Sequence, residues 1–284
     1  MVLIDPMEFD RTVSLLRNFF KTKGFIEIHT QNRLSILAAC EDPSTIATFD
    51  YAGQVWPLPQ TGQMWLEHEL LTKPNVPGYF CVSTSYRQEA NPIEGRHDLI
   101  FPMFEFEMHG GIKKLIELEE ELCRFLMLGI KDRNNNKYFQ YTNHKYDFFA
   151  NKYGVESLEA EHEEKMYNEY GEVVFITDFP ESTSPFFNMR RSSEGTANKV
   201  DVIIKGIETI GSAERSIDVE QMRRDFMTIS NGKYAETLFA RFGKERVMNE
   251  LDEFLKLPMF QRCGGGIGLT RMIRALRPMT SQTN

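Results

Sequence analysis

The sequence has little of several features that would fix its class early. Only 4 of its 284 residues are cysteine, and Cys40, Cys81, Cys123 and Cys263 are widely separated, with no C-x-x-C pair and no histidine at ligand spacing. That pattern reads as buried, reduced thiols and argues against a structural zinc site. Long apolar runs are absent, and the longest fall far short of the roughly 20 residues that span a bilayer. The amino terminus, MVLIDPMEFDRTV, carries acids where a secretory signal has a basic region followed by an apolar stretch, so a cytoplasmic protein is expected. Positive charge is also scarce: 33 Lys and Arg against 41 Asp and Glu give a net charge of −8. This argues against broad, sequence-blind adhesion to nucleic acid and leaves room for a local basic pocket. No internal repeat, basic arm or low-complexity tail is visible.

What is present is ordinary for a soluble globular chain. Hydrophobic residues make up 41% and charged residues 26%, and the length suffices for one large domain or two modest ones with a real core. Residues 7–24 have the spacing of an amphipathic helix, with Val13, Leu16, Phe19 and Phe20 on one face and Gly24 as its stop. Phe25 to Ile28 follows as a short strand, and 30–53 reads as a long loop of the kind that is more often functional than idle. GYFCVSTSY (78–86) and PMFEFEM (102–108) form an antiparallel pair around a polar loop, before a strong helix over 111–130. The stretch 131–172 reads as small helices in a connecting insertion. Then come a strand at 173–177, a hairpin over 200–210 turning at Lys205-Gly206, helix over 218–256, a glycine interruption at 264–266 and a last helix at 269–276. Mostly antiparallel strands flanked by helices predict an α+β fold.

Four segments carry chemistry. The first is Ser85-Tyr86-Arg87-Gln88-Glu89, followed by Gly95-Arg96-His97-Asp98. An arginine at a strand end, with basic groups on the adjoining loop, can grip a polyphosphate, and Phe101 can lie flat against a base. The second is Asp201 and Glu208. A two-residue turn at Lys205-Gly206 sets Ile203 opposite Glu208 and puts Asp201 on the same face, about 7–8 Å away at the backbone, a separation that suits a magnesium ion held between phosphate oxygens. The third, CGGGIGLTR (263–271), lets backbone approach a ligand, and Arg271 in the first turn of a helix suits an anionic ligand better than the helix dipole. The fourth, LPQTGQMWLE (58–67), says nothing specific by itself.

In this order, the segments resemble the aspartyl, asparaginyl and lysyl branch of the class II aminoacyl-tRNA synthetases, over most of residues 1–284. SYRQE with GRH and FEFE resembles motif 2, GGGIGLTR resembles motif 3, and LLRNFFKTKGFIEI resembles motif 1, the dimer element, with His29-Thr30-Gln31 in place of the usual Thr-Pro. The resemblance implies a single class II catalytic domain, an antiparallel sheet flanked by helices, and a homodimer. It implies ATP bound by Arg87, Glu89, Arg96, His97, Phe101, Glu208 and Arg271, with Arg87 on the α-phosphate and Arg271 on the γ-phosphate as the catalytic pair. Phe101 is implied to stack on adenine, and Asp201 and Glu208 to hold Mg2+.

PFFNM (185–189) resembles the segment that precedes this acidic pair. The amino-acid pocket implied by the family comprises Gln60, Gln63, Glu67 and Arg215. Arg215 stands where lysine-specific members have an acid, which disfavours a lysine substrate. Leu66-Glu67, where aspartate enzymes carry lysine, resembles the asparaginyl form, because Glu67 could accept from an amide NH2 and would repel a carboxylate.

The expected chemistry is attack of an amino-acid carboxylate on the α-phosphorus of ATP, giving an aminoacyl-adenylate and pyrophosphate without a general base. Motif 1 begins within the first twenty residues, so a paralogue without the amino-terminal anticodon-binding barrel is expected. Three readings stay open: transfer of activated asparagine or aspartate to tRNA or another acceptor, ammonia-dependent asparagine synthesis, and a non-catalytic module that binds nucleotide or amino acid.

Overall fold

Asp5 starts the first helix, α1 (Pro6–Thr22), by accepting from the amides of Met7 and Glu8 at 2.9 and 3.0 Å, with a proline in the first turn where no donor is needed. Gly24 at φ 80° ends it, and the chain enters β1 (Ile26–Glu27). The computed structural model describes residues 4–30, 34–38, 43–90, 92, 98–130 and 140–277.

After two single 3-10 turns the chain forms a hairpin of β2 (Thr48–Tyr51) and β3 (Gln54–Pro57). The expected loop over 30–53 is therefore partly strand. Ala52 and Gly53, both at positive φ, make the tight turn. Next come α2 (Gln63–Thr72), β4 (Gly78–Tyr86), β5 (Ile100–His109) and α3 (Ile112–Ile130). The region read as a small-helix insertion supplies α4 (Tyr146–Tyr153) and α5 (Ala160–Tyr170), and also β6 (Thr142–Lys145), an edge strand.

β7 (Val173–Pro180), β8 (Thr196–Ile204) and β9 (Ile207–Glu214) follow. The turn between the last two has Lys205 at φ 48° and Gly206 at φ 77°, the geometry of a two-residue hairpin turn. The single helical stretch expected over 218–256 divides into α6 (Val219–Thr228), α7 (Lys233–Phe242) and α8 (Lys244–Leu255). It breaks where Ser230, Asn231, Gly232 and Gly243 take positive φ, a conformation a helix interior cannot hold.

The glycine run does not interrupt the chain; it lies in β10 (Arg262–Gly268), which leads directly into α9 (Leu269–Leu276). Among the described residues eight strands form one sheet in the order β1-β4-β5-β10-β9-β8-β7-β6. Pairing is antiparallel except at the two edges, where β1 with β4 and β6 with β7 are parallel. The fold is α+β, as expected.

One face of the sheet packs against α1, α3 and α9. There Phe20 is fully buried among Phe80, Phe104 and Phe106, with ring centroids 5.8, 5.1 and 5.0 Å away. Burying each such ring contributes about 1.5–3 kcal/mol. On the other face, α6, α7 and α8 gather around Phe187, Phe226, Tyr234 and Leu251. These helices cover one part of that face and leave the middle of the sheet open.

Candidate active site

The open middle is a cavity of about 440 Å3. Its floor follows from the sequence of the central strand. On β10, Gly264 pairs with Glu107 and Ala213, and Gly266 with Glu105 and Gly211. Glycine at these positions leaves backbone where side chains would stand. A Cβ on Gly264 would lie 2.1 Å from Glu107 Oε2 and 2.2 Å from the Phe106 carbonyl oxygen.

The alternation Phe104-Glu105-Phe106-Glu107 puts the rings into the core and both acids on the cavity side. Glu105, 1% exposed, accepts from the Thr61 and Ser83 hydroxyls at 2.5 Å each and from the Gly62 amide at 2.9 Å. It thereby fixes the start of α2.

The cavity lining includes Arg87, Glu89 and Phe101 at the ends of β4 and β5, Asp201 and Glu208 on the β8–β9 hairpin, and Arg271 in the first turn of α9. The Arg87 guanidinium lies 5.7 Å from the Phe101 ring centroid. Arg271 Nη1 donates to Glu208 Oε2 at 3.2 Å. Ile203 pairs with Glu208, and Asp201 pairs with Gly211 across a bulge. An added Cβ at Gly211 would lie 3.5 Å from Asp201 Oδ1 and 3.7 Å from Glu208 Oε1. The two carboxylates therefore border the same empty space, a donor set of two hard oxygens that fits Mg2+ sharing its shell with phosphates and water. Among the described residues no group of three or more His, Cys, Asp or Glu side chains could hold a metal unaided. Arg96 and His97 lie outside the described residues, as does Cys40; Cys81, Cys123 and Cys263 are free and buried.

Gln60, Gln63 and Arg215 also line the cavity. Gln60 Nε2 donates to Thr45 Oγ1 at 2.7 Å, and Gln63 Nε2 to the Phe106 carbonyl at 2.9 Å and to Glu107 Oε2 at 2.5 Å. Arg215, 5% exposed, donates to Glu107 Oε2 at 3.2 Å and to the Gly264 carbonyl at 3.1 Å. Burial pushes the Glu107 carboxyl up to about 7, opposed by Arg215 and reinforced by Glu67.

Glu67 itself is not part of the cavity lining. It is fully buried behind it, and Oε2 accepts from Arg262 Nη2 at 2.7 Å and Nε at 3.0 Å. Its Oε1 accepts from Asn188 Nδ2 at 2.6 Å. The direct contact with an amide substrate expected of Glu67 does not fit this placement. Asn188 is the side chain that lines the cavity there. Both Nδ2 neighbours, Glu67 and the Met64 thioether at 3.6 Å, are acceptors, which fixes the amide orientation. Its Oδ1 is buried without a hydrogen-bond partner.

Sequence reasoning did not single out Glu105, Glu107, Asn188, Lys199, Arg262 or Arg274. The FEFE alternation signalled the first two, whereas nothing local pointed to Arg262, which meets its partner across 195 positions of chain.

The family model for class II tRNA synthetases (D, K and N) matches residues 8–281. The chain belongs to that family. It is similar to the asparagine–tRNA ligase of Rhodopirellula baltica, 41% identical over 70 residues, which are 23% of this chain and 14% of that protein. Among solved structures, the asparaginyl-tRNA synthetase of Pyrococcus horikoshii, complexed with asparaginyl-adenylate, superposes with a TM-score of 0.74 at 18% identity, covering 95% of this chain and 64% of that one. A putative aspartyl-tRNA synthetase of Leishmania major Friedlin gives 0.74 at 16% identity, covering 95% and 61%. The chain thus spans about three fifths of the solved structures it resembles, and the likeness is one of fold. No helix among the described residues is long and apolar enough to cross a membrane.

Proposed function

We propose that the cavity binds ATP and an amino acid and joins them as an aminoacyl-adenylate, releasing pyrophosphate, with asparagine preferred over aspartate. The observation that carries this is one continuous cavity that Arg87, Phe101, Glu208 and Arg271 share with Arg215. Glu208 and Arg215 lie roughly 20 Å apart along the strand, which leaves room for a nucleotide beside a small amino acid.

Arg87 neutralises charge on the α-phosphate as the amino-acid carboxylate attacks, and Arg271 holds the outer phosphates, with Phe101 against the adenine. Asp201 and Glu208 are the residues that would hold Mg2+, which supplies further charge neutralisation on the phosphates. A carboxylate is already ionised, so the protein contributes positioning and electrostatics and needs no general base. Arg215 offers donors to a side-chain oxygen. Asn188 Oδ1, buried and without a donor, suits the NH2 of a carboxamide, which a carboxylate lacks.

ATP–pyrophosphate exchange across the amino acids tests the proposal. Exchange driven by asparagine, more weakly by aspartate, and abolished by Arg87→Ala in a folded variant is the expected result. Exchange with no amino acid, or undiminished exchange in Arg87→Ala, would sink it. Adding tRNA or ammonia to the same reaction then identifies the acceptor.

A further inference from the structure

Behind the wall of the cavity two carboxylates and two guanidiniums are paired: Glu67 with Arg262 at 2.7 Å, and Glu107 with Arg215 at 3.2 Å. The first pair is closed on itself, because Arg262 takes Glu67 Oε2 through two nitrogens and is fully buried. The second pair borders the cavity, because Arg215 is part of its lining. Arg215 also passes 3.7 Å from Glu67 Oε1. With both acids ionised the four charges cancel. An uncharged side chain can dock on Arg215 without disturbing that balance. A carboxylate adds a fifth charge beside the buried Arg215 guanidinium, where an unbalanced charge is disfavoured.

We infer that Glu107 sets the charge of the amino acid this site accepts: ionised, it neutralises Arg215 and matches the site to an uncharged carboxamide, and a carboxylate side chain enters only when Glu107 takes up a proton. The inference rests on reading the cavity as an amino-acid-activating site. Glu107 acts through Arg215 and is a positioning residue.

Every element packed on Glu107 bears on its charge. α2 presents Gln63, whose Nε2 donates to it, and Glu67. β4 pairs Tyr79 with it. β10 presents Arg262 and Cys263, and Arg215 reaches it from just beyond β9. The two arginines favour its ionised form, whereas burial and Glu67 favour the protonated one, and the balance lies near neutrality at about 7. The proton therefore exchanges under ordinary conditions. Below that pH the site already carries it. Above, aspartate must bring a proton with it, and its apparent affinity falls roughly tenfold per pH unit. Asparagine has no such dependence.

Calorimetric titration of the wild-type chain at pH 8, in two buffers of different ionisation enthalpy, reads the coupling without any variant. Aspartate is expected to bind with uptake of close to one proton, and asparagine with none. Glu107→Gln, a neutral isostere, is expected to flatten the pH dependence of aspartate binding and to narrow the preference for asparagine at least tenfold at pH 8. Binding of both amino acids with equal uptake, or with none, overturns the role of Glu107 and leaves the amino-acid site standing. So does asparagine binding with no aspartate binding even at pH 5.5. Failure of both to bind, together with no pyrophosphate exchange, overturns the amino-acid site and this inference with it.

Discussion

Glu208 and Arg215 stand seven positions apart along one extended segment, yet both line the same cavity. Seven is odd, and strict alternation would send them to opposite faces of the sheet. The register explains the exception. Val202 pairs with Ile210 but Ile203 pairs with Glu208, so Thr209 is an extra residue, its hydroxyl donating to the Val202 carbonyl at 3.1 Å. Beyond this bulge the faces exchange, which puts Ile210 in the core and Gly211 beside the two carboxylates.

Deleting Thr209 removes the extra residue and leaves Glu208 and Arg215 six positions apart, an even spacing that strict alternation keeps on the cavity face. Pyrophosphate exchange is therefore expected to survive the deletion. Loss of exchange in a folded deletion variant would mean that Thr209 does more than reset the alternation.

The bulge also marks where the sequence stopped being readable. Asp201 and Glu208 were legible because a two-residue turn at Lys205-Gly206 fixes the register of the residues nearest it. Nothing in ETIGSAER announces which residue bulges, so the face of Arg215 could be assigned only through family resemblance. The central strand was read as a break because Gly264, Gly265 and Gly266 have poor strand propensity. Its identity comes from hydrogen-bonded neighbours on both sides, β5 and β9. Glu67 was misplaced for a different reason: its buried partner, Arg262, becomes a neighbour only after the chain folds.

The glycines of β10 should differ in what they tolerate. At Gly264 a methyl group meets a backbone carbonyl as well as Glu107, so nothing nearby can yield cheaply. Gly264→Ala is expected to destabilise the protein by roughly 2–4 kcal/mol, seen as a lowered midpoint in denaturant. At Gly266 the nearest atom is the terminal methyl of Met103, 2.7 Å away, which can swing aside. Gly266→Ala should cost less stability but crowd the cavity floor, weakening ATP binding in a titration. Equal midpoints for the two variants would contradict this ranking.

The Glu67–Arg262 pair is fully buried. Removing one partner leaves a charge without compensation, so Arg262→Met should cost about 3–5 kcal/mol. Replacing both partners removes that penalty, and the double variant Glu67→Met, Arg262→Met should be more stable than Arg262→Met. It also takes away the acceptor that orients Asn188, so the preference for asparagine should shrink even as stability recovers. Chemical denaturation of the single and double variants, with pyrophosphate exchange on the double, checks both halves. A double variant less stable than the single would show that the pair does more than balance charge.

Glu119, on α3 against the back of the sheet, is fully buried, and neither carboxyl oxygen makes a hydrogen bond of good geometry. Burial pushes it up from its usual 4.5 to about 8, against a weaker pull from the Ser212 hydroxyl. The folded state thus holds a proton that the unfolded chain releases above 4.5. Because the folded state binds more protons in this window, stability falls as pH rises from about 4.5 to about 8, by up to ~1.4 kcal/mol per unit. Below the window both states are protonated and the effect vanishes; above it both are ionised and the loss levels off. Glu119→Gln keeps the shape and removes the titration. Its stability relative to wild type should therefore climb between pH 5 and 8, measured by urea denaturation across that range. A constant difference between the two proteins would mean that Glu119 titrates alike in both states, and that α3 does not seal this carboxyl from water.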